Sequence, residues 1–171
     1  MGLFSSKGDK EAKKAEKERK KESHAIFVGK TLQPIGKIPA GQTVYISLVP
    51  EGQVLNIHYD KTDITLPCNR MISFILESES KIIQGGNSGL RALTGGVLFG
   101  ATGAIVGAAS AKNKESKRWI GILTYKDKEG SVKSLSFLHP YVGDTKHYGA
   151  AQFEKTVNDI CSRMGEEIKE L

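Results

Sequence analysis

The sequence predicts a mainly β domain of the α+β type. It reads as about seven antiparallel strands in a barrel or sandwich, one C-terminal amphipathic helix and a glycine-rich helical insert between late strands. Three observations predict it. From His24 to Gln84, short apolar runs alternate with turn residues at about ten-residue spacing, the rhythm of a small all-β unit. The last twenty or so residues change to helical period. Between the two, Leu93–Ala111 runs 19 residues without a charge and is dense in glycine and alanine.

The strands are read in chain order. Ala25–Val28 is a short apolar run, and Pro34, Gly36, Pro39 and Gly41 punctuate the turn after it. Thr43–Leu48 is rich in β-branched and aromatic residues, Pro50–Gly52 is a turn, and Val54–Tyr59 pairs across Asp60–Thr62 with the short run Ile64–Leu66. Met71–Leu76 and Ser80–Gln84 read as two further strands. Beyond the insert, Trp119–Tyr125 and Val132–Leu138 form a hairpin about Lys126–Gly130, and Pro140 ends the second strand. From Tyr148 to Ile168, the residues Ala151, Phe153, Val157, Ile160, Cys161, Met164 and Ile168 share one broad helical face. Glu154, Lys155, Asp159, Glu166 and Glu167 lie largely opposite. The domain therefore spans 24–171, interrupted by an insert over 86–117 and preceded by a charged, flexible or helical tail over 1–23.

Charge is distributed unevenly. The chain carries 25 Lys and Arg against 19 Asp and Glu, a formal net charge of +6. The tail holds +3 and residues 86–118 hold +4, whereas 24–85 is neutral and 119–171 is −1. A nucleic-acid-binding fold would carry its basic face on the fold itself, so nucleic acid is not an expected partner. The tail has only Ala12 and Ala15 as apolar residues between Lys7 and Ser23, too few for a buried face, with Leu3 and Phe4 as its apolar tip. Met1-Gly2 with Ser6 fits an N-myristoylation pattern. No apolar run of signal-peptide length opens the chain, and the two cysteines do not make a disulfide framework. Both features favour the cytoplasm, with attachment to the inner face of the cell membrane as an option.

Within the insert, small residues recur every four positions. Gly96, Gly100, Ala104 and Ala108 form one helical stripe, with Gly103, Gly107 and Ala111 beside it. Such stripes let two backbones approach closely. Glycine in a helix costs near 1 kcal/mol relative to alanine, so close packing or lipid must offset it. A single membrane crossing would put the strands before and after it on opposite sides of the bilayer, and one barrel cannot be built that way. A bend at Gly100–Gly103 gives two helices of about ten residues, each about 15 Å long, about half a hydrocarbon core. The residues expected at a membrane or self-association surface are Gly95, Gly96, Gly100, Gly103, Ala104, Gly107, Leu98, Phe99, Ile105 and Val106. The flanking cations Arg91, Lys112, Lys114, Lys117 and Arg118 are expected to face lipid head groups. Three readings stand: membrane contact, self-association in water, and an inert surface loop.

A run of short antiparallel strands closed by one helix, with Pro39-Ala40-Gly41-Gln42-Thr43-Val44-Tyr45-Ile46, then Val54–Ile57, then Ile64-Thr65-Leu66-Pro67 before Met71–Phe74, resembles bacterial pleckstrin-homology-like or GRAM-like domains. The whole of 24–171 is similar to small bacterial and phage-borne proteins of that fold that carry a glycine zipper like Gly95–Gly107 in the middle of the strand order. The resemblance implies the fold more than a function. Members of the wider family bind phosphoinositides through basic residues on an early inter-strand loop, and Lys30 and Lys37 occupy that region here.

No catalytic constellation is visible. His24, His58, His139 and His147 lack metal-ligand spacing, and neither cysteine has a CxxC partner. Cys68 with His58, or Cys161 with His147, are the nucleophile pairs the composition allows, but buried thiols and surface imidazoles are the commoner arrangement. Gly85–Gly89 lacks the Lys-Ser/Thr of a phosphate loop. The expected protein is thus a non-enzymatic module without metal or cofactor. Its partner is an anionic membrane surface or another protein. The alternative is a soluble adaptor that forms homo-oligomers through the zipper.

Overall fold

A computed structural model describes residues 25–49, 53–83 and 117–167. The expected membrane or self-association residues of the insert, the cations Arg91, Lys112 and Lys114, and the charged tail lie outside the described residues, as does Ile168. Seven strands form one antiparallel sheet: β1 (Ile26–Thr31), β2 (Thr43–Val49), β3 (Val54–Tyr59), β4 (Thr62–Pro67), β5 (Met71–Ser78), β6 (Arg118–Lys126) and β7 (Val132–Val142). Their spatial order is β4-β3-β2-β1-β7-β6-β5, so β1 bridges the meander β1–β4 to the meander β5–β7. A 3-10 turn, Cys68–Arg70, joins β4 to β5, and the C-terminal helix α2 (Tyr148–Glu167) packs on that turn, on β5 and on β1.

Strand alternation selects the interior. Phe27, Val44, Ile46, Leu55, Ile57, Phe74, Leu123 and Phe137 are all fully buried or nearly so, and Phe153 and Val157 of α2 complete the core. At its centre the rings of Phe27, Phe74 and Phe153 meet with centroids 5.0 to 5.8 Å apart, two of the three pairs edge-to-face. The loop between β1 and β2 tucks Ile35 and Ile38 into the core, tied by a two-residue bridge and by Thr31 Oγ1 donating to Pro39 O at 2.8 Å.

Two sequence expectations change. Of the strand expected over Ser80–Gln84, Ser80–Ile83 is helical instead, part of the short helix α1 (Glu79–Ile83), and Gln84 lies outside the described residues. The pattern of two isoleucines after a polar pair suits either state over so short a run. Tertiary contacts decide: Lys81 pairs with Glu77 at i,i+4, Glu79 turns inward, and Ile82 packs on β6. Pro140 does not end its strand, since β7 continues to Val142. Pairing with β1 stops at Leu138, and pairing with β6 is irregular between Arg118 and Ile120. Pro140 thus falls where a missing N–H breaks no regular ladder.

Candidate functional site: the root of the insert

β5 and β6 are antiparallel neighbours, with Ser78 opposite Trp119. The chain therefore leaves the sheet at the end of β5 and re-enters it at the start of β6, side by side. The two ends of the undescribed stretch 84–116 are thus held near each other by the β5–β6 ladder.

A buried ion pair holds the two roots together. Glu79, the first residue of α1, is 1% exposed and accepts two hydrogen bonds from Arg118, the first residue of β6: Nε to Oε2 at 2.8 Å and a terminal nitrogen to Oε1 at 2.6 Å. The fork-on-carboxylate geometry fixes both distance and orientation. Glu79 is the buried partner and Arg118 is half-buried, so removing Arg118 would strand a carboxylate that burial makes costly. One residue earlier, Lys117 lies 3.0 Å from Asp144, and its carbonyl accepts from Gly143 N–H at 2.9 Å. Trp119 Nε1 donates to Gly143 O at 2.9 Å, so the returning strand is laced to the segment between β7 and α2. Lys117 and Arg118, expected to face lipid, thus each carry a carboxylate partner.

The segment opposite Arg118 carries exposed aromatic and apolar residues. Tyr148 at the start of α2 is 82% exposed, Val142 60% and Tyr141 39%. Lys146 beside them bonds Glu154 at 2.6 Å. Behind the rim, the His147 ring lies 5.4 Å from that of His139 and 5.3 Å from that of Tyr141. His139 is buried against Phe27, and its Nδ1 accepts from Tyr141 N–H at 3.0 Å, leaving Nε2 to carry the ring proton. Burial first, and the neighbouring His147 second, hold His139 below the ordinary histidine value of 6.5.

The residues singled out as conceivable nucleophile pairs do not meet. His58, on β3, donates from Nδ1 to Asp63 Oδ1 across the β3–β4 hairpin at 2.8 Å. Cys68 is buried in the 3-10 turn. Burial, then the nearby Cys68, push the Cys161 thiol up to about 11, so it stays protonated at neutral pH. Lys30 and Lys37 are exposed, on β1 and in the loop after it. Among the described residues no three of His, Cys, Asp or Glu gather as a metal site would need, and no helix is long and apolar enough to cross a membrane.

The outer face of β5–β6–β7 escaped sequence reading. β6 is buried on both faces from Trp119 to Thr124, unusual for an antiparallel strand with one face on the core. Three hydroxyls, Ser73, Thr124 and Ser134, lie in register across β5, β6 and β7 on this outer face, with buried oxygens that find no hydrogen-bond partner among the described residues. The signal was present: Trp119–Thr124 is apolar or neutral at every position rather than alternating.

No family model matches this chain, and a search of curated proteins finds no match.

Proposed function

We propose that this protein is a non-enzymatic module of the membrane surface, with a pleckstrin-homology-like barrel that presents its glycine-rich insert and its basic flanks to lipid. The strand order β4-β3-β2-β1-β7-β6-β5, with a C-terminal helix laid over the β5 end, supports the barrel type. The observation that carries the functional reading is the shared end. Arg118, just after the stretch that contains the 19-residue uncharged segment, pairs in the ladder with Val142 of the exposed rim and is bonded to Glu79 of α1. Tyrosines favour the head-group region, where the ring is apolar and the hydroxyl wet.

The ion pairs refine the electrostatics. With Lys117 on Asp144 and Arg118 on Glu79, the root is locally neutral. Attraction to an anionic leaflet then rests on Arg91, Lys112, Lys114 and the +3 tail, each cation contributing about 1 kcal/mol near such a surface.

Flotation on neutral and anionic vesicles tests this, comparing the full chain with a variant lacking residues 89–111. The full chain is expected to float, more on anionic vesicles and less as salt rises, while the deletion variant stays in the lower fraction. If neither floats, the lipid reading is wrong and assembly of several copies through the zipper takes its place.

A further inference from the structure

We infer that Cys68, Met71, Cys161 and Met164 form an all-sulfur binding site for a soft monovalent ion, Cu(I). The inference is independent of the lipid reading and adds a metal where the sequence reading expected none.

The first observation lies in the sequence. The chain has two cysteines and three methionines, and apart from Met1 all of them fall into two copies of one pattern, Cys-x-Arg-Met: Cys68-Asn69-Arg70-Met71 and Cys161-Ser162-Arg163-Met164. Each copy sits on an element whose period brings its two sulfurs to one side. In a 3-10 turn positions three apart eclipse, and Met71 directly follows the turn Cys68–Arg70. In α2 positions three apart are neighbours on one face. Burial agrees. Cys68 and Met71 are buried and Cys161 and Met164 half-buried, whereas Asn69 and Ser162, the residues after each cysteine, are exposed.

The second observation is how the two elements meet. Two side chains of α2 pin it along β5: Glu154 Oε1 accepts from Leu76 N–H at 2.8 Å, and Asn158 Oδ1 accepts from Phe74 N–H at 2.9 Å. Four residues along the helix, about 6 Å, thus match two along the strand, about 7 Å. One further step of the same size brings the turn of α2 that holds Cys161 and Met164 to the start of β5, beside Met71 and the 3-10 turn. α2 packs on that turn. All four side chains belong to one core cluster or pack against it, and Cys68 lies close enough to Cys161 to act on its thiol electrostatically.

The third observation is chemical. Two thiolates and two thioethers are soft donors. Zinc takes cysteine, histidine and carboxylate ligands, so the two methionines single out Cu(I). Among the described residues no three of His, Cys, Asp or Glu gather, so these residues offer no competing site of harder donors. A coordinating thiol loses its proton. Binding therefore joins one Cu(I) to two thiolates, sends two protons to solvent and leaves a complex of charge −1, with the methionine sulfurs as neutral donors and no electron transferred. Arg70 and Arg163, each next to a methionine, bring positive charge that offsets it. The half-buried Cys161 and Met164 give the ion its way in.

The test titrates the reduced, oxygen-free full chain with Cu(I) against the chelator bathocuproine disulfonate, and records X-ray absorption of the loaded protein. A single Cu(I) per chain with only sulfur neighbours is expected. An outer-shell partner is typically worth about 10–100-fold in metal affinity and a ligand no less, so Met164→Leu is expected to weaken binding at least about tenfold and Cys161→Ser about 100-fold or more. Leucine replaces methionine at nearly constant volume, so Met164→Leu decides the matter should Cys161→Ser disturb folding. Cu(I) is also expected to raise the thermal midpoint of the parent more than that of either variant. A chain that yields all its Cu(I) to the chelator would overturn the inference, as would uptake unchanged in both variants; sulfurs that merely fill the core give one of these two results. Nitrogen or oxygen neighbours, or one ion shared between two chains, would overturn it as well.

Discussion

A methyl group at Gly121 would lie 2.7 Å from both Phe27 Cζ and Phe74 Cζ, closer than carbon atoms pack. Gly29, on β1, is similarly crowded by Phe137 Cβ and Phe27 Cε1 at 2.8 Å. Both glycines exist to seat the Phe27 ring, so Gly121→Ala is expected to destabilise by about 1–3 kcal/mol through overpacking, measured as a lower midpoint in urea. Glycine inside a strand is the mark of such a close approach, and it is legible in Trp119-Ile120-Gly121-Ile122; which ring approaches is not. His139 gives a pH dependence with a definite sign. Its folded-state value lies below 6.5, so as pH falls the unfolded chain takes up the proton first. Stability is full above about pH 6.5 and declines as pH drops below it. Melting temperatures from pH 7.5 to about 5 are expected to fall, and His139→Gln is expected to flatten that slope. An unchanged slope in the variant would place the titration elsewhere.

At the scale of elements, α2 does more than supply apolar residues. β5 is an edge strand, and an open edge invites pairing with other chains. Asn158 closes part of it: its Oδ1 accepts from Phe74 N–H at 2.9 Å and its Nδ2 donates to Phe74 O at 2.8 Å. Glu154 Oε1 accepts from Leu76 N–H at 2.8 Å, and Lys146 holds the other carboxylate oxygen. The helix thus stands in for an eighth strand. Asn158→Ala leaves a part-buried N–H and C=O unpaired and is expected to cost about 2 kcal/mol, read from urea unfolding. It should also expose the edge, visible as faster amide exchange at Phe74 and Leu76. The helical period placed Phe153, Val157 and Ile160 on the buried face correctly. It placed Glu154 toward solvent, because periodicity ranks residues by polarity and cannot know that an unpaired strand edge lies against the helix.

On the scale of the molecule, the seven-stranded sheet is continuous among the residues that flank 84–116. The two roots are already neighbours in the β5–β6 ladder and are clamped by Glu79 and Arg118. Replacing residues 86–116 with a short Gly/Ser linker therefore removes none of the described strands, and loop closure costs little as length changes. The excised protein is expected to keep the backbone resonances of β1–β4 and a cooperative unfolding transition. Loss of cooperativity would mean that the insert is part of the folding unit.

The sequence by itself determined the β-rich class, five of the seven strands to within about two residues, the amphipathic C-terminal helix and the position of the uncharged insert. These follow from local periodicity and turn chemistry, which need no knowledge of neighbours. Only the tertiary structure decided that Ser80–Ile83 is helical, that Pro140 lies within a strand, that Arg118 turns to a buried carboxylate, and that β6 is covered on both faces. Each of these depends on which residues meet across the sheet, and contacts between positions 39 or more apart, such as Glu79 with Arg118, leave no periodic trace along the chain.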